Sequence, residues 1–180
     1  DANLSGNLFV RALSAMHHSR RRNSRGGSRK NIAEHYDLGN RFFEIWLDPS
    51  ITYSSALYER ENMTLAEAQA GKYRRILEKL DVRSHHHVIE IGCGWGGFAE
   101  ITARETGARV TAITISREQH DFAAARMKKA GLSDLVDIQL RDYRDLADQA
   151  DRVVSIEMLE AVGEDYWPAY FQTVSRCLRR

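Results

Sequence analysis

Val88-Ile89-Glu90-Ile91-Gly92-Cys93-Gly94-Trp95-Gly96-Gly97 is the stretch that decides how this chain folds. Strand-type residues, apolar except for Glu90, run straight into a cluster of glycines. A helix-type segment over 98–106 follows. A strand, a glycine turn and a helix in that order open a nucleotide-type cofactor site in an α/β domain. Without Cβ atoms, the backbone turns sharply and comes close to a ligand. The spacing Glu90-x-Gly92-x-Gly94-x-Gly96 differs from the dinucleotide pattern G-x-G-x-x-G. Taken alone, it also fits a glycine-rich turn in another α/β protein.

Outward from this stretch, strand and helix patterns alternate. The segments 109–114, 136–140 and 151–156 read as strands. Helices are expected at 116–130, closed by Gly131, and at 166–178. Such alternation predicts a parallel, doubly wound sheet. Upstream, Tyr73, Ile76, Leu77 and Leu80 share one face of a helix over 65–80, with Thr64 and Glu67 as its capping box. Residues 31–58 are rich in aromatic side chains and are broken by Asp48-Pro49-Ser50. Residues 3–18 have helical apolar spacing, and 19–30 read as a basic, glycine-bearing linker. The chain therefore divides into an arm and linker (1–30), a helical and aromatic entry segment (31–80) and a sheet domain (81–180).

A length of 180 residues suits one domain with a core and a small appendage. There is no apolar run of about 18 residues, which argues against a membrane span. Cys93 and Cys177 give neither a disulfide framework nor a metal-ligand spacing, and they fit a reducing cytoplasm. No metal is expected. His85-His86-His87 reads as a surface loop, because neighbouring side chains point in different directions. Residues 1–30 carry seven Lys or Arg against one acid, and the remainder carries 19 against 24. A basic arm on an acidic body points to an anionic partner surface.

The E-x-G-x-G-x-G spacing resembles the signature of S-adenosylmethionine-dependent methyltransferases. Further motifs narrow the resemblance: HYDLGNRFF at 35–43, WLDPSITYSSA at 46–56, TISREQ at 114–119, DYRD at 142–145 and DRVVSIEMLEAVG at 151–163. In order and spacing they are similar to the cyclopropane-fatty-acid synthase family, over about residues 30–180. The resemblance implies a Rossmann-like class I methyltransferase sheet. Such sheets usually have seven strands, so this one is expected to be cut short after its fourth strand and helix. The 180 residues alone are expected to be inactive. The implied activity is transfer of the methyl group of S-adenosylmethionine to the cis double bond of an unsaturated acyl chain of a phospholipid. The resulting carbocation loses a proton from the new methyl to close a cyclopropane, with a bound bicarbonate taking that proton. The protein must align the alkene, exclude water and stabilise positive charge.

The same resemblance assigns roles. Tyr53 and Ser54 are expected to contact the cofactor. Glu90 closes the first strand, and Gly92, Cys93, Gly94 and Gly96 pass under the amino acid part. Thr114 and Gln119 lie near the ribose. Asp142, Tyr143 and Arg144 hold the adenine, with Tyr143 as a stacking face. Glu160 is the carboxylate at the reacting centre. Its apolar neighbours Met158, Leu159, Ala161 and Val162 argue against a surface role, because an unpaired buried carboxylate is costly. Structural readings compete elsewhere. Gln119 completes a capping box with Ser116, Phe42 and Trp46 are core, and Trp95 packs the loop against the sheet. Three positions depart from the family pattern: Ser55 stands for Cys, Ala161 for His and Glu157 for Gly. Ser55 and Ala161 bear on ring closure more than on methyl transfer, and a different quench of the cation would give a methylene or methyl-branched chain. The expected partners are the unsaturated phospholipid and an anionic membrane surface touched from the cytoplasm. A homodimer is a further candidate. A soluble-substrate methyltransferase fits the arm and the aromatic segment less well. A nucleic-acid module lacks aromatics near the basic run.

Overall fold

The computed structural model describes residues 40–179. The expected helical stretch at 3–18, the linker at 19–30 and the HYDLG part of the entry motif lie outside the described residues. Four parallel strands make one sheet: β1 (His87–Ile91), β2 (Arg109–Thr114), β3 (Val136–Leu140) and β4 (Arg152–Val154), in the order β3-β2-β1-β4. The helices are α1 (Asn40–Glu44), α2 (Leu65–Lys79), α3 (Gly97–Thr106), α4 (Arg117–Ala130), α5 (Leu159–Val162) and α6 (Trp167–Cys177). In register, Glu90 lies beside Ala112 on one side and Val154 on the other.

Alternate strand residues serve opposite faces. Val88, Val110 and Ala112 pack with Tyr73, Leu77, Phe98 and Met127, under α2, α3 and α4. Ile89, Ile91 and Ile113 pack with Leu146, Tyr170 and Cys177, under α6. Burial on both faces is why these strands read as continuous apolar runs. From β1 the chain steps outward to β2 and β3, then returns to place β4 on the far side of β1. Strand order reverses between β1 and β4, and a crevice opens beyond their carboxyl ends, where α/β sheets bind ligands.

β4 stops three residues after it starts, short of the expected 151–156. Ser155 donates its hydroxyl to the Ile91 carbonyl at 3.0 Å, and Glu157 takes a left-handed conformation with φ +48°. Together these turn the chain out of the ladder and over the crevice. The last helix starts with Pro168 in its first turn and is preceded by a 3₁₀ turn, Glu164–Tyr166. His87 belongs to β1, with its ring on Thr111 Oγ1 (2.8 Å) and the Gln149 carbonyl (3.2 Å), rather than to a loop. Among the described residues, no group of three or more His, Cys, Asp or Glu could hold a metal ion. No helix among them is long and apolar enough to cross a membrane.

α2 is the beam that carries the entry segment. Thr64 and Glu67 form the expected capping box. Removing the cap oxygen in Thr64→Ala should cost about 1 kcal/mol of stability, read as a lower denaturation midpoint. An unchanged midpoint would mean that α2 is held by packing alone. The inner face of α2 grips the extended chain at 52–55. Gln69 Nε2 donates to the Ser54 carbonyl (2.7 Å), and Lys72 Nζ to Ser54 Oγ (2.5 Å) and the Ser55 carbonyl (2.7 Å). Tyr73 OH meets Thr52 Oγ1 at 2.9 Å.

Candidate active site

A cavity of about 570 Å³ fills the crevice between β1 and β4, within the size range of small-molecule sites. Three segments frame it together with the turns after β2 and β3, which bring Ile113 to Gln119 and Arg141 to Arg144. The first is the entry segment, Ile51 to Ser54. Buried Asp48 shapes this bend by accepting the backbone N–H groups of Ser50 (2.9 Å) and Thr52 (3.2 Å). Arg126 ties the bend to the glycine loop, donating to the carbonyls of Ser50 (2.6 Å) and Trp95 (3.5 Å). The second is the turn after β1, and the third is the turn after β4, Ile156 to Val162.

Tyr53, Ser54, Glu90, Gly92, Cys93, Gly94, Thr114, Gln119, Asp142, Tyr143, Arg144 and Glu160 all line this one cavity. Gly96 does not. A Cβ there would press on Ala123 Cβ (3.1 Å) and Met127 Cε (3.3 Å), so its close approach is to α4. Gly92 and Gly94 have different reasons for lacking a side chain. A Cβ on Gly92 (φ +82°) would sit 2.8 Å from Met158 Cγ, so the glycine lets the turn after β4 lie against the loop. A Cβ on Gly94 (φ +53°) would meet nothing within 4 Å. What that glycine keeps open is the cavity.

The polar groups divide by burial. Glu90 is 3% exposed, and its Oε2 has no hydrogen-bond partner. Burial pushes its carboxyl up to about 8, against a partial offset from the Ala99 N–H. The unfolded chain gives up this proton at the ordinary carboxylate pKa, whereas the folded chain keeps it until about pH 8. Stability therefore falls as pH rises between those values. Glu90→Gln should gain on the parent protein from about pH 5 to about pH 9 in thermal melts. Parallel curves would place the ionisation elsewhere. A cationic ligand group beside Glu90 would favour its ionised form, so binding should release a proton near neutral pH.

Thr114 Oγ1 donates to Gln119 Oε1 at 2.8 Å and accepts the Ser116 N–H at 3.1 Å. Ser116 Oγ caps α4 through the Gln119 N–H at 3.3 Å. The return bond of a capping box is absent. The Gln119 side chain is turned to Thr114 and the cavity, so capping does not account for it. Asp142 is buried in a two-pronged pair with Arg144 (2.8 and 2.5 Å), whose guanidinium lies 5.4 Å from the centre of the Tyr143 ring. Tyr143 meets Tyr170 edge-on at 5.5 Å. Burial pushes the Cys93 thiol well up, which keeps it neutral.

Two expectations fail on exposure. Glu160 is exposed, not buried among its apolar neighbours. It sits on a single helical turn that buries Val162 and turns Glu160 and Ala161 outward. Phe42 and Trp46 are also exposed, at 42% and 47%, whereas Phe43 and Trp95 are the buried pair, 4.8 Å apart. Trp95 Nε1 donates to Asn40 Oδ1 at 2.7 Å, a structural position as expected. The sequence reading attached no role to Lys72 or Met158, and it noted Glu157 only as a departure from pattern. Their contacts join segments up to 102 residues apart, which no local pattern signals.

Residues 23–180 match the family described as mycolic acid cyclopropane synthetase. The cyclopropane-fatty-acyl-phospholipid synthase of Escherichia coli is 45% identical over 146 residues, 81% of this chain and 37% of that protein. The tuberculostearic acid methyltransferase UfaA1 of Mycobacterium tuberculosis is 42% identical over 163 residues, 87% of this chain and 38% of that protein. The crystal structure of mycolic acid cyclopropane synthase CmaA1 complexed with SAH and CTAB superposes with a TM-score of 0.81 at 31% identity. The match covers 84% of this chain and 53% of that one. The chain thus spans less than two fifths of the length of these curated relatives.

Proposed function

The chain belongs to the mycolic acid cyclopropane synthetase family, and from that premise we propose that it transfers the methyl group of S-adenosylmethionine to the cis double bond of an unsaturated phospholipid acyl chain. The observation that carries this reading is the cavity at the β1–β4 switch point. It joins the glycine loop, the Tyr53–Ser54 segment and the Glu160 turn. The donor set fits the cofactor. The buried Glu90 carboxyl, whose Oε2 has no hydrogen-bond partner, suits a positively charged amino acid group, and the open face of Gly94 suits close approach.

When bound, the cofactor supplies an electrophilic sulfonium methyl. The chain's residues do the rest. Glu90, Gly92, Cys93 and Gly94 hold the amino acid part. Thr114 and Gln119 take the ribose, and Asp142, Tyr143 and Arg144 the adenine. Tyr53 and Ser54 close over the cofactor from the entry segment, braced by Gln69 and Lys72. Glu160 offsets positive charge developing on the acyl chain. The excess of Arg and Lys in residues 1–30 suits peripheral contact with an anionic membrane surface, where the lipid resides. The product read from this chemistry is a cyclopropane; Ser55 and Ala161 bear on how the cation is quenched, and a methylene or methyl-branched chain is the alternative outcome of the same first step.

The test is methyl transfer from labelled S-adenosylmethionine by the intact gene product, offered unsaturated phospholipid vesicles or soluble alkene acids. Label in the vesicle lipid supports the reading. Label only in the soluble acid overturns the lipid substrate. With four strands and 37% of the length of the Escherichia coli relative, residues 1–180 alone are expected to bind cofactor without turnover. Turnover by that segment would refute this.

A further inference from the structure

Two of the three departures from the family pattern touch each other. Ser55 donates its backbone N–H to Glu157 Oε1 at 2.9 Å, and its hydroxyl donates to the same oxygen. Lys72, bonded to the neighbouring Ser55 carbonyl at 2.7 Å, adds positive charge on the same side. Glu157 holds this position from a left-handed backbone, φ +48°, a region that a residue with a Cβ seldom occupies. Glu157 is exposed and is among the residues that line the cavity, with Met158, Glu160 and Ala161. Met158 lies against Gly92. A carboxylate is thus held where the entry segment meets the turn after β4.

We propose that the Glu157 carboxylate is the group that takes the proton from the acyl cation. The proposal rests on the methyl-transfer reading above. Addition of a methyl to one alkene carbon leaves the other as a cation. A C–H bond of the new methyl then breaks, and its electron pair forms the third ring bond of a cyclopropane. If a hydride has first shifted from the methyl-bearing carbon to the cationic one, the same electron pair forms a C=C bond and gives a methylene chain. In both cases the proton goes to a Glu157 oxygen, and no oxidant or reductant is required. A proton beside a carbocation is so acidic that an ordinary carboxylate accepts it. Position, not raised basicity, is what the protein must supply. Ser55 supplies that position by holding one oxygen, Glu157 Oε1. A small diffusible anion is then not needed at this wall, and Ala161 leaves room where the family pattern has a histidine.

The test compares Glu157→Gln and Glu157→Gly with the parent in the intact gene product, using unsaturated phospholipid vesicles. Glycine suits the left-handed position, so Glu157→Gly should fold, with an unchanged or raised denaturation midpoint. Both variants should keep cofactor affinity in calorimetry. Turnover in both should fall by about 10²-fold, the scale for losing a general base. Added formate or bicarbonate should restore turnover to Glu157→Gly in a concentration-dependent way, and should do little for Glu157→Gln or the parent. Turnover within about threefold of the parent in both variants overturns the proposal. So does a loss in Glu157→Gly that neither anion relieves. A parent protein that methylates no unsaturated lipid overturns the methyl-transfer reading itself, and the proton acceptor with it.

Discussion

Gly94→Val is expected to reduce cofactor affinity by at least about a hundredfold, roughly 2.7 kcal/mol of binding free energy. The native fold does not resist the new methyl groups, because a Cβ at this position meets no atom within 4 Å. They enter the space kept for the ligand. A β-branched residue at φ +53° also costs stability, about 1–2 kcal/mol. A control separates the two effects. Gly131 has φ +69°, likewise has nothing within 4 Å of a Cβ, and caps α4 away from the cavity. Gly131→Val should lose comparable stability and keep its affinity. Equal losses of binding in calorimetry would mean that backbone strain, not occupation of the cavity, is responsible.

Glu160→Gln is the second large effect. Glu160 is exposed on the turn after β4, so the substitution should leave folding and cofactor affinity nearly intact. Its magnitude in turnover decides what surrounds the carboxylate during reaction. A charge about 4 Å from a cation in bulk water is worth about 1 kcal/mol, or roughly fivefold in rate. A preorganised group in a water-poor site is worth about 10²-fold or more. The proposed role requires the larger figure. A loss of about fivefold or less would make Glu160 a solvated bystander and remove its charge-stabilising part.

Much of the fold was legible because β1 and β2 are buried on both faces. They read as mostly apolar or β-branched runs, whereas β3 alternates apolar and polar residues with Asp137 exposed; the observed bounds of all three differ from expectation by a residue at most. The helix ends were legible from Thr64, Ser116 and Gly131, whose caps are local chemistry. The cavity was legible in its parts, because the doubly wound order brings the ends of these strands to one crevice. The misreadings share a cause. Glu160 was judged buried from its apolar sequence neighbours, whereas one helical turn sends it and Ala161 outward together. The left-handed Glu157 has no sequence signature, since glycine is what that conformation ordinarily selects. Its bond to Ser55, and the grip of Lys72 on Ser54 and Ser55, depend on α2 lying over the crevice, a long-range arrangement without a local pattern.

The central claim is methyl transfer to an unsaturated acyl chain, and the most direct test is mass spectrometry of phospholipids from cells expressing the intact gene product. The cells would be fed methionine carrying a deuterated methyl group. The account predicts that monounsaturated acyl chains decline and that chains of the same length with one extra carbon at the former double bond, carrying deuterium, replace them. An unchanged acyl profile with active protein present, or deuterium confined to soluble metabolites, would contradict it.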